Sequence, residues 1–463
     1  MEKKVNHDET VKVIEQCQVG PPPGSIPSPT SISLSFFDIS FLCTPVTCKR
    51  IFFYQFPYPK QHLLQQVLPN LKQSLSLTLQ HFFPFSSKIV FPPKPQTPHI
   101  LYSEGDTLTF IVAESTTVNL HNLVSDTTKD VTCFHPFVPM LPSSRVLEDG
   151  TLLIPPMAIQ LTIFPNSGFT ICVNFSHVVV DGKGFHHFMK FWASLCASKQ
   201  NSAPLPCHDR HMIEDQNGLK PLILQTVWNS PRERFMSLGH NAPSDNVRRM
   251  FVLMRDHVDN LKKYVSTECQ RQGIGTFHLS TFVVTCSLFW VCKVRSEETN
   301  DDDEELYYLC YWLDCRTRNI GGLEIPSTYF GNCLVNGTAA MKRSKLVGQN
   351  GIFEAAVAIG NKVSEMQCEP YKYADTLNSI FSEVARAGHR LSGIAGSPKL
   401  DVYETDFGWG KPKLSEVVHI NPQVLSLSDC RDKECGIIEV GVVLGRTQMH
   451  KFSNILQQIL AEL

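Results

Sequence analysis

His177-Val-Val-Val-Asp181-Gly182 follows directly on the apolar run Thr170-Ile-Cys-Val-Asn-Phe-Ser176. A run of this kind is typical of a strand, and the glycine after it indicates a turn that presents the imidazole to a substrate as a general base. An enzyme is therefore the leading hypothesis. His211-Met-Ile-Glu-Asp215 has the same spacing in a polar stretch that indicates a loop. Spacing alone thus leaves a structural or surface role for His177 open.

A second informative stretch is Tyr403-Glu-Thr-Asp-Phe-Gly-Trp-Gly-Lys-Pro412. It combines acidic and aromatic residues with Gly408, Gly410 and a proline, a composition typical of a rigid loop packed on a core. A protein kinase is excluded, since neither G-x-G-x-x-G nor H-R-D precedes the D-F-G letters.

The two stretches together resemble the signatures of the plant BAHD acyltransferases, which move an acyl group from a coenzyme A thioester to an alcohol or amine. The family's D-F-G-W-G is present letter for letter. Tyr329-Phe-Gly-Asn-Cys333 is similar to the motif of the branch that acylates sugars on anthocyanins and other phenolic glycosides. Further segments resemble the family in the expected order: His81–Pro84, Asp209-Arg210 with Asp215, Gly218-Leu219, Ser280–Trp290 and Ile437–Val443.

The resemblance implies an α/β fold of two similar chloramphenicol-acetyltransferase-like domains, each a mixed sheet flanked by helices, with the active-site channel between them. A length of 463 residues with 42% hydrophobic content agrees with two domains or one bilobed unit. We expect an N-terminal domain over 1–200 with H-x-x-x-D and a C-terminal domain over 246–463 with D-F-G-W-G. Residues 201–245, rich in proline, histidine and charge, predict a crossover without packed elements.

Apolar spacing predicts three helices. One covers Leu63 to Leu77, one follows Gly182 with a stripe from Phe185 to Leu195, and one closes the chain from Met449 to Leu460. The proline-rich stretch 20–29 predicts an extended lead-in.

Bulk properties limit the partners. A net charge of −2 provides no general attraction to nucleic acid or membranes, the N-terminus has no apolar signal region, and no apolar run reaches the roughly 18 residues of a membrane span. The 16 cysteines form no C-x-x-C pair, which favours reduced core thiols over zinc ligands or disulfides. The adjacent His186 and His187 cannot face one metal from a helix. We expect a cytosolic monomer without metal or permanently bound cofactor, using acyl-CoA as co-substrate.

His177, with an ordinary pKa near 6.5, is suited to take the proton of an acceptor hydroxyl and return it to the CoA thiolate, without an acyl-enzyme. Asp181 has two possible roles. It can orient the imidazole as a triad aspartate does, or it can form the structural ion pair with an arginine that the resemblance implies. Arg316 is the candidate partner, and Gly182 forms the turn.

Trp409, held between two glycines, is the candidate oxyanion donor through its indole N–H, with a plain buried aromatic as the alternative. Asp406 can act as a second base. The resemblance implies instead that it holds the loop away from the reacting atoms, with Gly408 and Gly410 shaping that loop.

Lys183 is the candidate partner for the carboxylate of malonyl-CoA, with a surface lysine as the alternative. Malonyl-CoA is the donor we expect, although Gly184-Phe-His-His187 departs from the small hydroxyl residues of malonyltransferases. That departure keeps coumaroyl- or caffeoyl-CoA open. The acceptor is expected to be a glycoside. A non-catalytic binding protein is the alternative class, and the joint presence of His177, Asp181 and Trp409 argues against it.

Overall fold

The protein has two large mixed β-sheets flanked by helices, as the family resemblance implies. The structure is a computed structural model. It describes residues 10–43, 47–56, 58–198, 203–215, 218–230, 245–275, 277, 279–298, 302–316, 325–368, 387–418, 420–434 and 436–463.

The strands of the described residues are short and mostly buried on at least one face. They are β1 (Lys12–Val19), β2 (Thr30–Ser33), β3 (Thr47–Gln55), β4 (Lys88–Phe91), β5 (His99–Tyr102), β6 (Leu108–Glu114), β7 (Lys129–Asp130), β8 (Arg145–Val146), β9 (Leu152–Ile154), β10 (Met157–Phe164), β11 (Gly168–Ser176), β12 (Asn246–Met254), β13 (Leu306–Asp314), β14 (Leu334–Lys342), β15 (Leu391–Ser397), β16 (Leu414–Val417), β17 (Val424–Asp429) and β18 (Gly436–Gly445).

The helices cover the sheets. They are α1 (Phe36–Cys43), α2 (Lys60–His62), α3 (Leu68–Leu79), α4 (Leu120–Val124), α5 (Gly182–Ser198), α6 (Leu219–Trp228), α7 (Arg255–Gln272), α8 (Thr281–Ser296), α9 (Arg343–Val347), α10 (Gly351–Cys368) and α11 (Arg446–Glu462).

The first large sheet has six strands in the order β1-β6-β10-β11-β3-β16. Strands β10 and β11 pair antiparallel and are buried at every position, which explains their continuous apolar sequence. Helix α5 packs beside α3, and its apolar stripe from Phe185 to Trp192 is buried in the same core. This packing fixes the loop between β11 and α5, where His177 lies.

The second large sheet has seven strands in the order β14-β13-β15-β17-β18-β12-β7, and a five-stranded sheet has the order β2-β5-β4-β9-β8. Each large sheet includes one strand contributed by the other half of the chain. Strand β16 pairs with β3, and β7 pairs with β12. The two halves are therefore joined by backbone hydrogen bonds as well as by side chains.

The three predicted helices are confirmed. The helix expected from Leu63 to Leu77 runs from Lys60 to Leu79, with a π-helical turn over Leu63–Val67 between α2 and α3. The closing helix α11 buries the stripe that predicted it, namely Met449, Phe452, Leu456 and Ile459.

The prediction that 201–245 contains no packed element is wrong for the part that the structure describes. Helix α6 lies there, packs on α1, and buries Leu219, Ile223, Leu224 and Val227. Composition misleads here because the proline and charge of the flanking residues mask one short amphipathic helix. Residues 201–202, 216–217 and 231–244 of this segment lie outside the described residues.

Each cysteine whose side chain the structure describes is a free thiol, half-buried or buried. Burial raises the pKa of the Cys48 and Cys292 thiols to about 12, which makes them core residues rather than nucleophiles. Within the same ranges, no group of histidine, cysteine and acidic side chains is arranged to hold a metal ion. None of the described helices combines the length and apolarity needed to cross a bilayer.

Candidate active site

The loop that carries His177 is fixed at both ends. The N–H of Ser176 at the end of β11 donates to the carbonyl of Pro156 at 2.8 Å, and the N–H of Phe185 in α5 donates to the carbonyl of Asp181 at 2.9 Å. Gly184 is required by close packing, because a Cβ atom there would lie 2.1 Å from Cγ2 of Val180. The imidazole therefore occupies one position relative to the sheet and the helix.

The imidazole of His177 has two well-defined neighbours. Its Nδ1 lies 3.0 Å from Oδ1 of Asn332, and its ring stacks on Phe41 with the centroids 3.8 Å apart and the planes 19° apart. Phe41 in turn contacts the ring of Trp312 at 5.8 Å. The side chains of His177, Phe41 and Trp312 are each partly exposed, so this aromatic surface is open to a ligand.

Hydrogen bonds of Asn332 determine which imidazole nitrogen carries the proton. Its Nδ2 donates to Oδ1 of Asp38 at 2.9 Å and to the carbonyl of His177 at 2.8 Å, so its Oδ1 is the atom that faces the ring. An amide oxygen only accepts, and Nδ1 of His177 must therefore be the donor. The proton sits on Nδ1, and Nε2 has the lone pair that a general base needs.

Burial lowers the pKa of His177 from its ordinary value of 6.5. The charge of Asp181 and the hydrogen bonds of the ring to its own backbone and to Asn332 only partly offset that effect. A lowered pKa keeps the ring neutral at pH 7. Neutral imidazole is the form that accepts a proton from a hydroxyl group.

Asp181 forms the ion pair with Arg316 that the resemblance implies. Its Oδ2 accepts from Nη1 at 2.8 Å and its Oδ1 accepts from Nη2 at 3.1 Å, with both side chains fully buried. The backbone N–H groups of Gly184 and Cys333 occupy further acceptor positions at 3.1 and 3.0 Å. A triad-like role is not supported by this geometry, since the imidazole forms its hydrogen bonds with Asn332 and with its own backbone.

A second buried ion pair, absent from the sequence-based predictions, lies on the other side of Asn332. Nε of Arg210 donates to Oδ2 of Asp38 at 3.0 Å, and the side chains are 4% and 0% exposed. The ring of Tyr329 lies between the two arginines, 5.2 Å from the guanidinium of Arg210 and 5.4 Å from that of Arg316. The only signal in the sequence was the presence of Arg210 and Asn332 in family-like segments, which gave no partner for either.

Gly182 and Lys183 open helix α5. Gly182 lies against Leu400, whose Cδ1 is 3.4 Å from the position of a Cβ atom. Nζ of Lys183 donates to Oδ2 of Asp314 at 2.8 Å, with both side chains about one-third exposed. Asp314 also accepts from Arg316 at 2.9 Å. A malonyl carboxylate would thus have to displace Asp314 before it reached the Lys183 ammonium.

Asp406 closes its loop by accepting from the N–H groups of Gly408 at 2.8 Å and Gly410 at 3.0 Å. Both glycines have positive φ angles, 103° and 107°, which other residues adopt only with strain. These contacts are those of a loop-stabilising residue and do not support Asp406 as a second base.

Trp409 belongs to an aromatic cluster. It stacks on Phe407 with the planes 6° apart and meets Phe169 edge-on at 5.3 Å. Phe169 lies near the start of β11, whereas His177 follows the end of that strand, about 26 Å away at the rise of an extended chain. Among the described residues, none accepts a hydrogen bond from the indole N–H of Trp409.

The length of helix α5 gives a similar separation between the loop that carries Trp409 and the loop that carries His177. Gly408 lies against Ala197 near the end of α5, where a Cβ atom would be 3.2 Å from the Cα of Ala197. Gly182, at the start of α5, is 15 residues earlier, or about 22 Å of helix. Both estimates place Trp409 at the opposite end of β11 and α5 from His177, which favours the packing alternative over the oxyanion role.

His186 and His187 have separate surroundings. His187 binds the carbonyl of Pro204 at 2.8 Å, and His186 is buried against Phe52 and Phe185. Burial lowers the pKa of both rings, so both are neutral packing residues at pH 7.

Comparison with known proteins adds to this geometry. The Transferase family matches residues 11–458 of the chain. The chain is 37% identical to coumaroyl-CoA:anthocyanidin 3-O-glucoside-6''-O-coumaroyltransferase 1 of Arabidopsis thaliana, covering 98% of each sequence. It is 36% identical to malonyl-coenzyme A:anthocyanin 3-O-glucoside-6''-O-malonyltransferase of Dahlia pinnata, covering 96% of each.

Among solved structures, vinorine synthase superposes with a TM-score of 0.70 at 16% sequence identity, covering 95% of this chain and 96% of that one. At this identity the match establishes the fold alone. The predicted fold class, two chloramphenicol-acetyltransferase-like domains, is thereby confirmed.

Proposed function

The chain belongs to the Transferase family, the BAHD acyltransferases, and on that premise we propose that it transfers an acyl group from a coenzyme A thioester to a sugar hydroxyl of a phenolic or flavonoid glucoside. Relatives of both donor types, the coumaroyltransferase and the malonyltransferase, act on anthocyanin or anthocyanidin glucosides by name and match the chain over almost its full length. Acyl-CoA is then a co-substrate rather than a bound cofactor.

The observation that carries the proposal is the hydrogen bond between Nδ1 of His177 and Oδ1 of Asn332 at 3.0 Å. It leaves the Nε2 lone pair for the acceptor hydroxyl. His177 takes the hydroxyl proton as the oxygen attacks the thioester carbonyl, and the new ester forms as the carbon–sulfur bond breaks. The imidazolium then returns its proton to the CoA thiolate, which leaves as the free thiol. No covalent enzyme intermediate is needed.

Two features of the site bear on the donor. Lys183, the residue that favoured malonyl-CoA, is engaged with Asp314. Phe41 and Trp312 are partly exposed beside His177, and planar aromatic groups pack well on such a surface. We therefore propose a hydroxycinnamoyl-CoA donor first, with malonyl-CoA as the second candidate.

A donor panel tests this order. The purified protein would be given one anthocyanin 3-glucoside with coumaroyl-, caffeoyl- and malonyl-CoA in separate reactions, and the products analysed by mass spectrometry. We expect the aromatic thioesters to give the higher kcat/KM. Faster transfer from malonyl-CoA would make malonyl-CoA the preferred donor and would leave the proposed acyl transfer by His177 unchanged.

A non-catalytic member of the fold is the competing class. Such a protein needs no neutral base with a fixed tautomer, which argues against it here. It would bind the glucoside without releasing CoA thiol in any reaction of the panel.

We also propose that the protein is a cytosolic monomer. Light scattering in the presence of both substrates would test the oligomeric state.

A further inference from the structure

We propose that Asp38 and Arg210 are positioning residues that set the tautomer of His177 through the amide of Asn332. This inference rests on the proposed function, in which His177 is the general base. Neither residue reaches the imidazole. Asp38 lies in α1, and Arg210 lies in the segment that connects the two halves of the chain, 172 positions away in sequence.

The first step is the state of Asp38. Its Oδ2 accepts from the N–H and the hydroxyl of Ser35 at 3.0 and 2.8 Å and from Nε of Arg210 at 3.0 Å. Its Oδ1 accepts from the N–H and from Nδ2 of Asn332, both at 2.9 Å. Five donors therefore surround the two oxygens. Asp38 acts as an acceptor only.

The second step is the orientation of Asn332. A reversed amide would place its oxygen against Oδ1 of Asp38 and against the carbonyls of His177 and Val178, which Nδ2 faces at 2.8 and 3.4 Å. Three oxygen–oxygen contacts in a buried site would replace three favourable contacts. The carboxylate thus holds the amide oxygen toward Nδ1 of His177.

Arg210 is the last residue of this network, and its guanidinium compensates the buried charge of Asp38. Besides Asp38, its guanidinium donates to the carbonyls of Phe330 and Val179, the latter at 3.3 Å. Gly331 permits this approach, because a Cβ atom there would lie 2.5 Å from Cζ of Arg210. The same guanidinium therefore fixes the backbone on both sides of the His177–Asn332 contact.

The direct test is nitrogen NMR of the full-length protein labelled with ¹⁵N-histidine, with His177→Ala used to identify the signal. No substrate is needed. We expect the wild type to carry the proton on Nδ1. Asp38→Asn replaces an acceptor by an amide that can donate, so Asn332 can turn and Nε2 becomes protonated in a large fraction of molecules.

Two control variants separate this effect from general damage. Ser35→Ala removes one donor to Asp38 but leaves Asp38 an acceptor. Asp181→Asn breaks the other buried ion pair, in which Asp181 contacts Arg316 and the backbone N–H groups of Gly184 and Cys333. Both should keep the proton on Nδ1. A wild type with the proton on Nε2, or a folded Asp38→Asn protein with an unchanged tautomer, would overturn the proposal.

Kinetics provide a second readout. A ring with the proton on Nε2 cannot accept from the acceptor, so we expect Asp38→Asn and Arg210→Lys to lose about 10²- to 10⁴-fold in kcat with little change in KM. If Asp38→Asn does not fold, Asn332→Ala tests the contact between Asn332 and His177 directly. That variant should also protonate Nε2 in a large fraction of molecules. If NMR shows the predicted tautomers while the wild type transfers no acyl group, the proposed function fails and the positioning network stands.

Discussion

Arg316 and Asp181 form a fully buried bidentate ion pair, with distances of 2.8 and 3.1 Å between their paired nitrogen and oxygen atoms. Arg316 follows the end of β13 and Asp181 precedes α5, so this pair joins the two halves of the chain next to the catalytic loop. Burial of both charges makes it costly to lose either partner.

Asp181→Asn should therefore unfold at a clearly lower temperature, because Arg316 keeps its buried charge with only the partly exposed Asp314 to match it. The expected loss is about 3 to 5 kcal/mol in the free energy of unfolding. His177→Ala, at a partly exposed ring, should remain within about 1 kcal/mol of the wild type. Urea denaturation measures the stability of both variants. Equal midpoints for Asp181→Asn and His177→Ala would contradict a structural role for Asp181.

The acid limb of the rate profile should report His177. Burial lowers its pKa below 6.5, so the neutral base persists to more acidic pH than a free imidazole would. We expect kcat/KM to fall at low pH, as the ring takes up a proton, with a midpoint below 6.5. A midpoint above 6.5 would contradict this expectation.

Trp409→Phe tests where the D-F-G-W-G loop acts. Loss of an oxyanion donor costs about 10²- to 10³-fold in kcat. Because Trp409 packs on Phe407 and Phe169 near the far end of α5, we expect kcat to stay near the wild-type value. A hundredfold drop in a protein of unchanged stability would restore the oxyanion role.

Lys183→Ala separates the two donors. Since the ammonium is paired with Asp314, its removal should change KM for malonyl-CoA and coumaroyl-CoA alike. A selective rise of roughly ten- to a hundredfold for malonyl-CoA corresponds to a lost charge-assisted hydrogen bond. That result would indicate that Lys183 binds the malonyl carboxylate of the donor.

Local patterns predicted the parts of the site that are local in sequence. Strand β11, the His177 turn and α5 follow from apolar spacing and from Gly182, and the resemblance supplied Arg316 as the partner of Asp181. Asn332 and Asp38 were missed as site residues because they are 294 positions apart in sequence. Contacts at that range depend on how whole sheets pack.

The oxyanion interpretation of Trp409 and the prediction of an unpacked crossover share a weakness. A motif's composition predicts that Trp409 sits in a tight loop but does not say which end of α5 that loop approaches. Composition also suggested an unpacked crossover, whereas the apolar residues of α6, such as Ile223 and Val227, are buried. In both cases tertiary packing decided the outcome.

The central claim, direct transfer by a neutral His177 without an acyl-enzyme, is tested by mixing the protein with acyl-CoA before and after adding a phenolic glucoside. CoA thiol and the intact mass of the protein would be followed together. We predict no thiol burst and no mass increase without acceptor, then thiol and acylated glucoside in equal amounts, and neither product from His177→Ala. A stoichiometric burst with an acyl group left on the protein, or undiminished transfer by His177→Ala, would contradict the claim.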